Sequence, residues 1–292
     1  MDRQATDNRH IDIIHADYPH YRLNIRDISP TIAAQEAENG INLLKQDVTV
    51  KGHGRGHMKT IGLLGGMSWE STVTYYQLLN GMVRERLGGL HSAEILMRSF
   101  DFAPIAELQA EARWSEAAKL LVKAAIRLEV AGADCLLIGT NTMHICADEV
   151  QAALSIPLFH IADVTAEAIK ASGCRKPLLL ATRFTMEQDF YKARLRERHG
   201  IEVCVPEQQE RDDVHRIIYE ELCQGVISPV SKNRYLRIIE TARAREADGI
   251  IFGCTEVGLL ISQDDFDIPA FNTTQLHAQA AVDFALSGDT AR

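Results

Sequence analysis

Two eleven-residue segments of this chain echo each other about 114 positions apart, and that repeat constrains the fold more than any other feature. Gly132-Ala133-Asp134-Cys135-Leu136-Leu137-Ile138-Gly139-Thr140-Asn141-Thr142 is matched by Glu246-Ala247-Asp248-Gly249-Ile250-Ile251-Phe252-Gly253-Cys254-Thr255-Glu256. Each reads as a small-residue turn carrying an acid, a buried apolar strand, a glycine, and then a cluster able to donate hydrogen bonds. A second pair, Ile61–Met67 against Leu178–Phe184, echoes at a similar offset. Two related halves that each present a strand end make a site with two opposed walls. That arrangement suits chemistry on both faces of one carbon.

From Met58 onward strand-length apolar runs alternate with helical patterns. Strands are expected at 60–64, 93–97, 134–138, 156–160, 177–181, 201–205, 248–252 and 268–271. Helices are expected at about 69–87, 114–131, 144–153, 163–172, 186–199, 210–224, 231–246 and 274–286. Such alternation implies an α/β protein with parallel sheets and helices on both faces. Ligands bind such sheets beyond the carboxyl ends of the strands.

Residues 1–57 differ in kind. They hold five of the eleven histidines, no strand–glycine–helix unit, and a Gly-rich end at Gly52–His57. They are expected to form a flexible extension, with a short helix over about 31–44. His10, His15 and His20 fall five apart, which does not stack on a helix face and argues against a metal site. The net charge of −9 argues against a nucleic-acid partner, since phosphate binding needs clustered Lys and Arg. No apolar run reaches a membrane span and the start lacks a signal peptide's apolar core, so a cytoplasmic protein is expected. Six cysteines without paired spacing read as reduced thiols, five of them buried small hydrophobes.

Three loops attract attention. Gly65-Gly66-Met67-Ser68 lets backbone approach a ligand before a helix N-terminus, although it matches neither a dinucleotide nor a P-loop fingerprint. Thr182 and Thr185 offer hydroxyls at another helix start, for capping or for a carboxylate. Cys254 is the sixth cysteine, at a strand-to-helix turn where free N–H groups and the helix dipole are expected to lower its pKa.

Gly65-Gly66-Met67, Thr140-Asn141-Thr142-Met143-His144 and Gly253-Cys254-Thr255-Glu256, in that order, resemble the cofactor-independent aspartate/glutamate racemase family, and its broad-specificity members most. The resemblance covers about 58–287. It implies two similar doubly wound domains, related by a pseudo-twofold axis, with the active site in the cleft between them. The first would comprise 58–155 plus 264–287 and the second 156–263. It implies racemisation of a free amino acid without pyridoxal phosphate or metal, one cysteine removing the α-proton and a second returning it. A homodimer with no membrane or nucleic-acid partner, working in D-amino acid metabolism, would follow.

The sequence departs from that pattern at Thr140, where the first cysteine would stand. A hydroxyl does not ionise near neutral pH, so Thr140 is a poor base. Cys254 is then expected to be the principal proton acceptor and donor, and the resemblance implies that it stands on the face presented by the L-enantiomer. Asn141, Thr142, Thr182, Thr185 and Thr255 are expected to hold the α-carboxylate, with Met67 beside it. Gln109 occupies a region where some members carry an arginine, and Lys232 aligns with a basic substrate-binding position. His144 and Glu256 are expected to orient these groups, His144 equally well as a helix cap. A single-cysteine decarboxylase or other lyase, and a non-catalytic amino-acid-binding protein, stay open as alternatives.

Overall fold

The computed structural model describes residues 58–288; the extension assigned to 1–57 and its short helix lie outside the described residues. The chain runs β1 (Ile61–Gly65), α1 (Trp69–Leu87), β2 (Ile95–Ser99), α2 (Phe102–Ala110), α3 (Trp114–Val130) and β3 (Cys135–Ile138). A 3₁₀ turn, Thr142–Cys146, then leads into α4 (Ala147–Ala152) and α5 (Ile161–Ser172). Next come β4 (Pro177–Leu180), α6 (Arg183–Glu187), α7 (Asp189–His199), α8 (Gln208–Glu220) and α9 (Pro229–Arg243). Last are β5 (Gly249–Phe252), α10 (Val257–Leu260), β6 (Ala270–Asn272) and α11 (Thr273–Leu286).

The strands form two parallel three-stranded sheets, ordered β2-β1-β3 and β4-β5-β6. The strands expected at 156–160 and 201–205 shrink to single bridges, Leu136 with Leu158 and Leu178 with Cys204. Pro157 and Pro206 flank those bridges, and a proline has no N–H to extend a ladder.

The repeated acids explain the sequence echo. Asp134 Oδ2 accepts the Thr60 N–H at 2.6 Å, while the Asp248 carboxylate accepts from Arg175 and Lys176 at 2.9 and 2.8 Å. Each acid thereby pins the start of the neighbouring strand, β1 or β4. At the other ends the Gly139 and Gly253 N–H groups donate to Leu64 and Leu180 carbonyls, both at 2.8 Å. A Cβ at Gly253 would sit 2.6 Å from Leu179 Cδ1 and 2.9 Å from Ala181 Cβ, so the glycine lets β5 leave the sheet this close to β4.

Side chains of the first sheet alternate between two cores. Ile61, Leu63, Cys135 and Leu137 pack with Tyr75 and Leu79 of α1 and Ala278 and Val282 of α11. Leu64, Leu136 and Ile138 face Ile105 of α2 and Leu121 of α3. Burial on both faces is why β1, β3, β4 and β5 read as unbroken apolar runs. In the second sheet Leu178, Leu180, Ile250 and Ile251 share a core with Ile169, Ile217 and Ile238.

The expected chain division needs two adjustments. Residues near 270, assigned with the first sheet, form β6 beside β5, and Leu158, assigned with the second, bridges to β3. What returns to the first sheet is α11, which packs on α1 and α5. Helix α2 was not expected, yet its start was legible: the Asp101 side chain accepts the Ala103 N–H at 3.3 Å and Pro104 lies within the first turn.

Candidate active site

The carboxyl ends of β1, β3, β4 and β5 open on one cavity of about 480 Å³, a volume that includes space open to solvent. Met67 and Ser68 enter it from the β1–α1 loop, Thr140, Asn141 and Thr142 from the end of β3, Thr182 from β4, and Gly253–Glu256 from β5. Gly66 makes the first loop possible. Its φ is +81°, and a Cβ there would lie 2.3 Å from the backbone of Phe100. Thr72 of α1 closes the turn, its hydroxyl accepting the Gly66 N–H at 2.6 Å and donating to the Ser68 carbonyl at 2.9 Å.

Cys254 and Glu256 form the polar centre of the second wall. The thiol donates to Glu256 Oε2 at 2.8 Å, and the hydroxyls of Ser68 and Ser71 each donate to Oε1 at 3.1 Å. These hydrogen bonds join the start of α1 to the end of β5. Burial and then the Glu256 carboxylate push the Cys254 thiol well above its usual pKa. That overturns the expectation of a lowered value. Helix α10 begins beyond Glu256 and has only four residues, too short a dipole to outweigh a carboxylate in contact. Cys254 therefore rests as a thiol whose proton is already shared with an acceptor.

Thr140 faces a different setting. His144 sits behind it, buried, with Nδ1 at 2.8 Å from the Thr140 carbonyl and Nε2 at 3.2 Å from the Ile161 N–H. The N–H can only donate, so Nε2 accepts and Nδ1–H is given to Thr140. Burial and neighbouring His160 depress the His144 pKa and keep the ring neutral. His144 thus positions the Thr140 backbone rather than touching the cavity.

Three hydroxyls meet at the join between walls. Thr142 Oγ1 lies 3.3 Å from Thr182 and 3.4 Å from Thr185, and the latter two are 3.4 Å apart. Thr185 lies behind Thr182 rather than on the lining. Thr255 lines the cavity and is braced by Thr274 at 3.4 Å. Gln109 of α2 reaches the cavity with its amide nitrogen 3.0 Å from Met143 Sδ, a weak acceptor.

Lys232 is not brought to this site. It forms an ion pair with Asp265 at 2.7 Å and is absent from the cavity lining. Asn141 reaches the cavity as well, with one of the two N–H groups of its Nδ2 given to Thr273 Oγ1 at 3.1 Å. The cysteine reading needs correction as well: Cys174, Cys204 and Cys223 are only half-buried, and Cys223 lines the cavity. Burial first and Glu256 next push the Cys223 thiol up to about 12.

Sequence reasoning missed Ser71, Phe102, Ile218, Tyr219 and Cys223 on the lining. Ser71 was the most accessible of these, since it follows the N-cap Ser68 by three residues and shares its helix turn. The others come from α2, α8 and the turn after it, elements that carry no motif.

The fold and cavity define a two-sheet α/β protein in which a thiol–carboxylate pair and a threonine line one cavity. Residues 64–281 match the Asp/Glu/Hydantoin racemase family, and the chain belongs to that family. A crystal structure described as a putative Asp/Glu racemase from Yersinia pestis is 54% identical, covers 78% of this chain and 100% of its own, and superposes with a TM-score of 0.75. An aspartate racemase homologue from Pyrococcus horikoshii OT3 is 37% identical over 78% of this chain and 99% of its own, with a TM-score of 0.71. The broad specificity amino-acid racemase RacX of Bacillus subtilis (strain 168) is 24% identical over 57% of this chain and 71% of its own length.

Proposed function

We propose that this racemase-family protein is an amino-acid isomerase that exchanges the α-proton of a free amino acid through Cys254, with Thr140 on the opposite face and without pyridoxal phosphate. The observation that carries the reading is the pairing of Cys254 and Thr140 on one cavity, each just beyond the end of an equivalent buried strand. The two sheets are read as pseudo-twofold partners around that cavity, and the chain as a homodimer.

Turnover begins with the Cys254 proton moving to the Glu256 carboxylate 2.8 Å away. The thiolate then takes the α-proton of the L-enantiomer, leaving a carbanion. Thr142, Thr182 and Thr255 hold the α-carboxylate with neutral donors that gain strength as charge spreads onto it. Return of a proton to the near face falls to Cys254; on the far face it comes from Thr140 or a water held by it, and the alkoxide or hydroxide left there regains a proton from Glu256 through solvent, which restores the carboxylate. Retention is therefore faster than inversion.

A lyase that protonates a carbanion with Cys254 alone is the second reading, favoured by the lack of a thiol or carboxyl at Thr140. Incubation with a panel of L-amino acids in deuterium oxide, read by mass and chiral chromatography, separates them. Exchange with any inversion supports the racemase. Carbon dioxide release from a substituted malonate, with no exchange from any amino acid, would replace it with the lyase.

A further inference from the structure

Thr273, the first residue of α11, is fully buried and does not line the cavity, yet it touches both walls. Its Oγ1 lies 2.8 Å from the carbonyl of Phe252, the last residue of β5, and 3.1 Å from Nδ2 of Asn141. A carbonyl only accepts, so the one hydroxyl proton of Thr273 is given to Phe252. Toward Asn141 the hydroxyl oxygen can then only accept. That requirement fixes the amide orientation, which a carboxamide's own shape does not.

The consequence appears on the other side of the amide. Asn141 lines the cavity, is 4% exposed, and its Oδ1 is buried with no hydrogen-bond partner. A buried acceptor without a donor is unfavourable unless a ligand supplies one. Among the described residues no lysine or arginine lines the cavity, and the one carboxylate there, Glu256, already accepts from Ser68, Ser71 and Cys254. Hydroxyls of Thr142 and Thr182 suit an anionic group, while the free Asn141 oxygen suits a cationic one.

We propose that Thr273 is a positioning residue that locks the Asn141 amide with its oxygen toward the substrate, so that the site selects acids bearing an α-ammonium group over the same acids lacking it. This rests on the amino-acid reading above. The selection belongs to binding, so it is measurable apart from turnover.

The test is isothermal titration calorimetry with two ligand pairs, L-aspartate against succinate and L-leucine against 4-methylpentanoate, on the full chain. At least one amino acid should bind wild type about tenfold or more tightly than its deamino partner, as a hydrogen bond to a charged group implies. Thr273→Val should remove about that factor from the ratio while moving the deamino acid's own affinity by less than about twofold. Thr273→Ser should restore the ratio. Asn141→Ala should lose it directly, and adding Thr273→Val to Asn141→Ala should cost nothing more.

Equal weakening of both members of a pair by Thr273→Val, failure of Thr273→Ser to restore the ratio, or an unchanged ratio in Asn141→Ala would each overturn the proposal. Should Thr273→Val fail to fold, Asn141→Ala and Thr273→Ser still decide it. Wild type that binds neither amino acid more tightly than its partner also overturns it. Loss of the ratio as stated, in a protein that exchanges no α-proton, would leave this proposal standing and sink the racemase reading.

Discussion

At the end of β3 Thr140 stands in front of a neutral imidazole, His144, that holds its carbonyl at 2.8 Å. At the end of β5 Cys254 stands beside a carboxylate, Glu256, that accepts its proton at 2.8 Å. The two strand ends share their preceding acid, their apolar run and their glycine, and the Gly139 and Gly253 N–H groups make equivalent hydrogen bonds of 2.8 Å. The backbone scaffold is therefore duplicated and the chemistry is not. One strand end carries a thiol in contact with a carboxylate, and the other a threonine whose neighbouring imidazole binds its backbone carbonyl rather than its hydroxyl. A repeated strand-end scaffold can carry different side chains because the scaffold depends on buried strand residues, whereas the groups presented to the cavity are the one or two side chains past the strand.

The comparison is broken most severely by removing the active wall. Cys254→Ser should lower α-proton exchange by about a thousandfold while the thermal midpoint stays close to that of wild type, since a hydroxyl replaces the thiol at nearly equal volume. A retained rate would place the base elsewhere. Equipping the other wall should sharpen it. Thr140→Cys should raise exchange from the D-enantiomer by about tenfold to a hundredfold and leave L-exchange less affected. Equal exchange from both enantiomers in the unaltered protein would remove Thr140 from the role assigned to it.

The two walls should also differ in their response to pH. Burial and Glu256 both raise the Cys254 pKa, so thiolate appears only as pH rises. Glu256→Gln removes the second cause, and the pH profile of Cys254 alkylation, followed by peptide mass, should move to lower pH. A profile moved upward would show that Glu256 instead favours the thiolate.

Behind Thr140 the effect runs the other way, through stability. His144 lies 4.7 Å from the ring centre of His160 and 5.5 Å from that of His277. Burial, then Arg194, lowers His160 to about 2, and burial, then His144, lowers His277 to about 3. Below about 6.5 the unfolded chain takes up protons that these folded imidazoles refuse. Stability should therefore fall as pH drops below about 6.5, by up to about 1.4 kcal/mol per pH unit for each ring. Urea midpoints at pH 8 and pH 5 check it, and equal midpoints would mean the rings charge without cost. The smallest effect is expected outside both walls: a chain starting at Met58 should fold and keep its exchange rate, because the family match begins at residue 64. Lost activity in that truncation would give residues 1–57 a part in the site.

Much of this protein was legible in its sequence. Residues buried on both faces must be apolar along their whole length, so β1, β3, β4 and β5 declared themselves, and the turns after them marked Met67, Thr140, Asn141, Thr142, Thr182, Cys254 and Thr255 as neighbours of one site. The repeat of Asp134 and Asp248 exposed the duplicated frame, because a strand start needs an acceptor for its free N–H groups in both sheets. Periodicity was less informative where pairing is brief, as at Leu158 and Cys204, and it did not show that β6 joins the second sheet while α11 returns to the first. Only the tertiary structure decided the electrostatic character of the cavity. Whether Cys254 has a raised or lowered pKa depends on which groups lie within about 3 Å of its sulfur, and Glu256 outweighs a four-residue helix there. Whether Lys232 reaches a substrate depends on Asp265, thirty-odd positions away along the chain and 2.7 Å away in space. Which end of the Asn141 amide faces inward depends on a hydroxyl from α11. Burial patterns are written into a sequence because many residues share them; a single charge or hydrogen bond is set by one neighbour that folding brings from afar.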